Sequence, residues 1–208
     1  MSPADRTQRR NCILNQSVEE TFRRLAPVIG NTPLLEISCT WQGRCLRVFA
    51  KMESYNLTGS IKDRVAYYIL RKAYETGELE AGMTIAEATS GNTGISFAAL
   101  GAALGHPVVI YMPDWMSQER IAMMEGYGAQ VRLVSKEEGG FLGSIAMTEE
   151  LAKKGGVFLP RQFSNPHNSA AHYATTGAEI LAQLDRLGLR PDGVVAGVGT
   201  GGTIMGIA

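Results

Sequence analysis

MTIAEATSGNTGISFAALGAALGHPVVIYM, residues 83–112, decides the fold. MTIAEA (83–88) reads as a strand. TSGN then turns the chain into a helix from about Thr93 to Leu104, which Gly105 stops. After His106 and Pro107, VVIYM (108–112) reads as a second strand. No Lys, Arg, Asp or Glu occurs between Ala88 and Pro113, so this helix and strand are expected to be buried. An uncharged run of that length raises the question of a membrane span. Ser90, Gly91, Asn92, Thr93, Gly94, Gly105, His106 and Pro107 answer it by cutting the run into pieces too short to cross a bilayer.

The same alternation continues outward. LLEIS (34–38), LRVFA (46–50), QVRLV (130–134), VFL (157–159) and GVVAGV (193–198) read as strands. Helices are expected over about 62–75, 117–126, 140–154 and 169–187. Regular βα order predicts an α/β fold of parallel sheets covered by helices on both faces, with ligands bound outside the carboxyl ends of the strands. The polar run 161–169 is the expected boundary between two lobes.

Composition sets limits on function. Twenty basic residues balance twenty acidic ones, so no general attraction to nucleic acid or an anionic membrane is expected. Cys12, Cys39 and Cys45 show neither CxxC nor metal-ligand spacing, and three is an odd number. That fits plain thiols in a reducing, cytoplasmic setting, with no metal site. Residues 1–16 carry Arg6, Arg9 and Arg10 but no apolar core of a secretory signal, and read as a polar tail. His106, His167 and His172 have no carboxylate or cysteine pattern around them and are read as structural or solvated.

Three segments carry chemistry. GVGTGGT (197–203) is a glycine loop that opens a helix, where backbone N–H groups can approach a phosphate. It satisfies G-x-G-x-x-G through Gly197, Gly199 and Gly202, so a dinucleotide remains open on this loop alone. GSIKDR (59–64) has Ser60 and Asp63 in a capping-box-like relation, which puts Lys62 in the first turn of a helix. The helix dipole disfavours a cation there, and a partly desolvated amine of lowered pKa suits Schiff-base chemistry; a solvated lysine offset by Asp63 is the plainer alternative. EATSGNTG (87–94) crowds Thr89, Ser90, Asn92 and Thr93 around the N–H groups of a helix start, more polar groups than one cap needs. An amine, a carboxylate cradle and a phosphate cradle together fit pyridoxal phosphate with an amino-acid substrate.

Through VIGNTPLL (28–35), GSIKDR, TSGNTG, YMPDWMSQER (111–120), QFSNPHN (162–168), TTGAEI (175–180) and GTGGT (199–203), the chain resembles the cysteine synthase / cystathionine β-synthase family, fold type II pyridoxal phosphate enzymes. The resemblance implies two parallel-sheet three-layer lobes, the larger one incomplete. Residues 1–52 would belong to the larger lobe, 53–165 would form the smaller, and 166–208 would begin the larger again. Lys62 would bond to the cofactor aldehyde and later serve as base and acid at the substrate Cα. Asn92 would contact the ring hydroxyl, and Gly199, Thr200, Gly201, Gly202 and Thr203 would hold the phosphate. Thr89, Ser90, Thr93 and Gln162 would bind the substrate carboxylate. The implied reaction is β-replacement in a homodimer, O-acetylserine plus sulfide giving cysteine and acetate. A serine/threonine dehydratase-type lyase and a truncated, non-catalytic cofactor-binding member are the alternatives. Leu57, Ala88 and Ala178 stand where the family commonly has proline, which loosens loops without removing a catalytic atom. The family continues for roughly another hundred residues, the scale of a completed domain. The 208 residues are therefore expected to be inactive alone.

Overall fold

The computed structural model describes residues 17–208; the polar tail, with Cys12, lies outside them. Residues 17–25 form helix α1. A two-residue turn, Gln42–Gly43, then joins β1 (Leu34–Trp41) to β2 (Arg44–Lys51) in antiparallel register, Trp41 opposite Arg44. Gln42 and Gly43 both have positive φ, 49° and 75°, as the tight hairpin turn matching strand twist requires. The segments 34–38 and 46–50 therefore pair with each other and do not enter a parallel sheet.

The parallel sheet is built by β3 (Thr84–Ala88), β4 (Val108–Pro113), β5 (Gln130–Val134) and β6 (Val157–Phe158), in the spatial order β5-β4-β3-β6. Helices α2 (Lys62–Thr76), α3 (Asn92–Leu104), α4 (Gln118–Gly126) and α5 (Gly140–Ala152) connect and cover it. Glycines in the αL conformation stop α2 and α3, Gly77 at φ 77° and Gly105 at φ 79°. Helix α3 is buried continuously from Thr93 to Gly101, as its lack of charge dictates. At Gly101 a Cβ would lie 2.3 Å from Val108 Cγ2, so only glycine lets α3 approach the sheet this closely. The core joins Phe97, Leu100, Ile85, Ile110 and Met112 to Val65, Ile69 and Leu70 of α2. Phe22 of α1 meets Tyr67 and Tyr74 edge to face.

The chain leaves β3 towards β4 and β5, then returns through α5 to place β6 on the other side of β3. The strand order reverses between β3 and β6. A crevice opens beyond their carboxyl ends for that reason, flanked by the loops that follow Ala88 and Phe158.

Helices α6 (His167–Ala171) and α7 (Ala178–Asp185) are separated by a π-helical turn, His172–Gly177, where the sequence pattern predicts one continuous helix. Two hydroxyls intervene: Thr175 Oγ1 donates to Ala171 O at 2.7 Å, and Thr176 Oγ1 lies 2.9 Å from His172 Nδ1. The short α8 (Gly202–Ile207) packs on α6 and on this wide turn. The strand expected at 193–198 does not form: the segment is irregular and Val195 is 100% exposed. Its apolar composition reads as strand, but among the described residues it has no neighbouring strand to pair with.

A buried ionic seam ties these parts together. Arg64 donates to Glu53 through Nε (2.7 Å) and Nη2 (2.9 Å), and to Glu179 through Nη1 (2.6 Å) and Nη2 (2.8 Å). Lys51 Nζ donates to the same Glu179 at 2.6 Å. Burial alone would raise the Glu179 carboxyl, yet hydrogen bonds from Arg64, Lys51 and the Asn31 N–H hold it at about 2. The hairpin, α2 and α7 thus meet at one carboxylate.

Candidate active site

The three segments singled out in the sequence converge on the crevice. Ser60 Oγ accepts the Lys62 N–H at 3.2 Å and so starts α2. Asp63 does not reach back to close a capping box. Its carboxylate accepts Thr58 N–H (2.6 Å), Thr58 Oγ1 (2.5 Å) and Ser96 Oγ (2.6 Å), fastening the first turn of α2 to the first turn of α3. Asp63 is therefore fully engaged elsewhere, and Lys62 Nζ has no ion-pair or hydrogen-bond partner among the described residues. Burial of the Lys62 side chain pushes its amine below the ordinary lysine value.

The loop after β3 divides its polar groups. Thr89 is buried, and its Oγ1 accepts the Gly91 N–H at 3.2 Å. Thr93 is buried too, and donates to Gln162 Oε1 at 2.6 Å. Ser90 and Asn92 are exposed; the Ser90 hydroxyl and the Asn92 side-chain amide have no protein partner among the described residues. Arg120, absent from the sequence-level assignment, lies across Gly91 and donates to Ser90 O at 3.1 Å, placing a positive charge beside this loop.

Gln162 follows β6 and faces the same crevice. Its Nε2 donates to Ala88 O at 3.0 Å, and its N–H donates to Glu87 Oε2 at 3.2 Å. Glu87 Oε1 accepts the Ala88 N–H at 2.9 Å. Burial drives the Glu87 carboxyl up to about 8 against these hydrogen bonds, so it is mostly protonated at neutral pH. Nothing in the sequence pattern marked this residue beyond its place at the end of a strand.

The glycine loop lies on the other side. Gly201, at φ 80°, caps α8 in the left-handed conformation, and Gly202 is buried. The N–H groups of Gly199, Thr200, Gly201 and Thr203 have no protein acceptor among the described residues, and Cβ atoms added at Gly199 or Gly201 would meet nothing within 4 Å. The loop is held from behind: Asn168 Nδ2 donates to Thr200 Oγ1 at 2.8 Å, and Thr203 Oγ1 lies 3.2 Å from His172 Nε2. His172 is fully buried. Burial, reinforced by the charges of Lys62 and Arg64, lowers it to about 4, so its ring is neutral; of the two roles read from the sequence, structural or solvated, burial excludes the second. Helix α2, which carries Lys62, packs on α6 and on the π turn, the two elements that hold the glycine loop from behind.

The arrangement combines an unpaired amine, a loop of unpaired N–H donors and a second loop of hydroxyl and amide donors. Among the described residues no helix is long and apolar enough to cross a membrane. The chain is 41% identical over 183 residues to the cysteine synthase of Staphylococcus aureus (strain N315), covering 88% of this chain and 58% of that protein. It is 43% identical over 184 residues to cysteine synthase B of Escherichia coli (strain K12), covering 88% and 59%. The crystal structure of a hydrogen sulfide-producing enzyme from Fusobacterium nucleatum superposes with a TM-score of 0.88 at 56% identity, covering 91% of this chain and 57% of that one. The chain thus spans less than two thirds of the length of these relatives. Residues 25–208 match the family model described as pyridoxal-phosphate dependent enzyme, and the chain belongs to that family.

Proposed function

We propose that this chain carries the cofactor and carboxylate sites of a β-replacement enzyme, acting on O-acetylserine and sulfide to give cysteine and acetate. The observation that carries the reading is Lys62: a half-buried amine of lowered pKa, deprived of Asp63 by Thr58 and Ser96, at the mouth of the sheet crevice. A neutral amine is what attack on an aldehyde requires. The residues fit pyridoxal phosphate. The unpaired N–H groups of 199–203 would hold its phosphate, and the exposed Asn92 amide would reach its ring hydroxyl. Bound there, the cofactor supplies an electron-accepting ring for charge that develops at the substrate Cα.

The protein's own part is positioning and proton transfer. Thr89, Ser90 and Thr93, with the N–H groups of their loop and Gln162 behind them, would grip the substrate carboxylate and aim the Cα–H bond at Lys62. Arg120 adds attraction for the carboxylate without leaving the rim. Lys62 would take the Cα proton and return it after the nucleophile has added. A cytoplasmic homodimer acting on a small amino acid is the setting this reading implies.

A second reading runs the chemistry in the sulfide-releasing direction. It is favoured by the higher identity to the hydrogen sulfide-producing enzyme, 56% against 41–43% for the two cysteine synthases. Cysteine would then be the substrate and sulfide the leaving group.

The test is the visible absorption spectrum of the chain with pyridoxal phosphate, beside Lys62→Ala, before and after O-acetylserine or cysteine. The expected result is a band present only with Lys62 and altered by the amino acid. Where turnover is measurable it should fall by about 10²–10⁴-fold in Lys62→Ala. Sulfide release from cysteine exceeding cysteine formation would select the second reading, and ammonia with a keto acid and no nucleophile would select a lyase. A band that survives Lys62→Ala unchanged sinks the assignment of the amine.

A further inference from the structure

We infer that Asn168 is a positioning residue that couples the two halves of the site: its single side-chain amide fastens the glycine loop to the carboxylate cradle, so that an anion held on one orders the other. The inference rests on the cofactor reading above and adds a connection between its parts.

Asn168 lies in α6 and is 4% exposed. Its Nδ2 donates to Thr200 Oγ1 and to Gln162 O, each at 2.8 Å, which uses both hydrogens of the amide. Gln162 passes the connection on, because its side chain accepts from Thr93 and donates to Ala88 O, and its N–H is held by Glu87. A continuous path of hydrogen bonds therefore runs from Thr200 to Thr93, between the loop that would take the phosphate and the loop that would take the carboxylate. His172 also holds the glycine loop, at Thr203, but its other nitrogen meets Thr176 within its own turn and leads nowhere near the cradle.

The other end of the amide shows that this orientation is required. Among the described residues Asn168 Oδ1 is buried without a hydrogen-bond partner, and it lies so close to Gly202 that a Cβ there would stand 2.0 Å away. A buried carbonyl without a donor is unfavourable, and rotating the amide would be the simple remedy. Rotation would instead set Oδ1 against the Gln162 carbonyl, acceptor against acceptor. The amide keeps one atom unsatisfied so that Nδ2 can serve both loops. A hydrogen-bonded linkage that each ligand tightens is a coupling free energy, and coupling is reciprocal.

A thermodynamic cycle tests it on the 208-residue chain, without requiring turnover. Apparent affinity for L-alanine, an amino acid without a leaving group, is measured from the visible spectrum. The chain is loaded with pyridoxal 5′-phosphate in one arm and with pyridoxal, which lacks the phosphate, in the other. The unmodified chain should bind L-alanine about tenfold tighter in the phosphate arm, within the usual span of coupling. Asn168→Ala should bring the ratio to about one, and His172→Gln should preserve it. Thr200→Val, which leaves the buried amide in place, should also abolish the ratio, and carries the test if Asn168→Ala fails to fold. A purely structural Asn168 would weaken both arms equally and leave the ratio intact, which overturns the inference. No Lys62-dependent band in either arm removes the cofactor reading and this inference together. A band without any phosphate effect in the unmodified chain removes the coupling alone.

Discussion

In the sheet half of the molecule, Phe97, Leu100, Ile85 and Ile110 are sealed from solvent; in the hairpin, Leu35, Ile37, Leu46 and Val48 are 48, 43, 42 and 50% exposed. Both regions alternate apolar residues competently, so pattern alone does not separate them. The difference is layers. The β3–β6 sheet has α3 seated against it through Gly101 and α5 packed on its strands, while among the described residues no layer covers the two-stranded ribbon. What anchors the hairpin is charge: Lys51 at its end reaches Glu179, which Arg64 holds from the sheet side. One half is held by shape, and the other is tethered by a carboxylate.

The largest effect expected from that contrast is in α3. Phe97→Ala should cost about 3–5 kcal/mol in denaturant unfolding, because a fully buried ring leaves a cavity that the surrounding layers cannot close. A loss below about 1 kcal/mol would mean the sheet half is packed as loosely as the ribbon. A middle effect concerns pH. His172 has a folded value of about 4 against an ordinary 6.5, so it binds no proton in the fold where the unfolded chain does. Its contribution to stability is complete above 6.5 and is lost as pH falls through 4. Glu87, raised to about 8 from 4.5, contributes the opposite slope between those values, so the informative quantity is the difference between the unmodified chain and His172→Gln. Stability measured from pH 7 to 4 should fall less steeply in His172→Gln than in the unmodified chain; parallel curves would refute the buried, neutral ring. The smallest effect belongs to the open region. Val195→Thr should change stability by less than about 0.5 kcal/mol while reducing self-association in light scattering. A larger loss would show that 193–198 packs against something in solution.

The order of elements from 83 to 134 is legible in the sequence because glycine stops, an uncharged helix and short β-branched strands all agree there. The pairing of 34–51 is less legible. Its turn uses Gln42 at positive φ, a residue that does not advertise that conformation as asparagine or glycine would. GVVAGV reads as a strand by composition, but strand formation is a property of neighbours. In the site, Lys62 and the two polar loops stand out because local spacing alone marks helix starts and glycine turns. Glu87, Asn168 and Arg120 do not, since each acts through a partner distant in the chain: Gln162, Thr200 and the Ser90 carbonyl. The sequence reads His172 as structural or solvated; its burial and its contact with Thr203 favour the first of the two.

The wide turn at His172–Gly177 has a consequence for the phase of everything after it. Each residue of an α-helix advances the side-chain direction by about 100°. Winding 172–177 as regular helix with the same number of residues would swing Glu179 by roughly that angle relative to His172. The histidine could then still face Thr203, or Glu179 could still face Arg64 and Lys51, but not both. The π turn works as a phase adjuster, letting one rod of helix address the glycine loop with its first half and the ionic seam with its second.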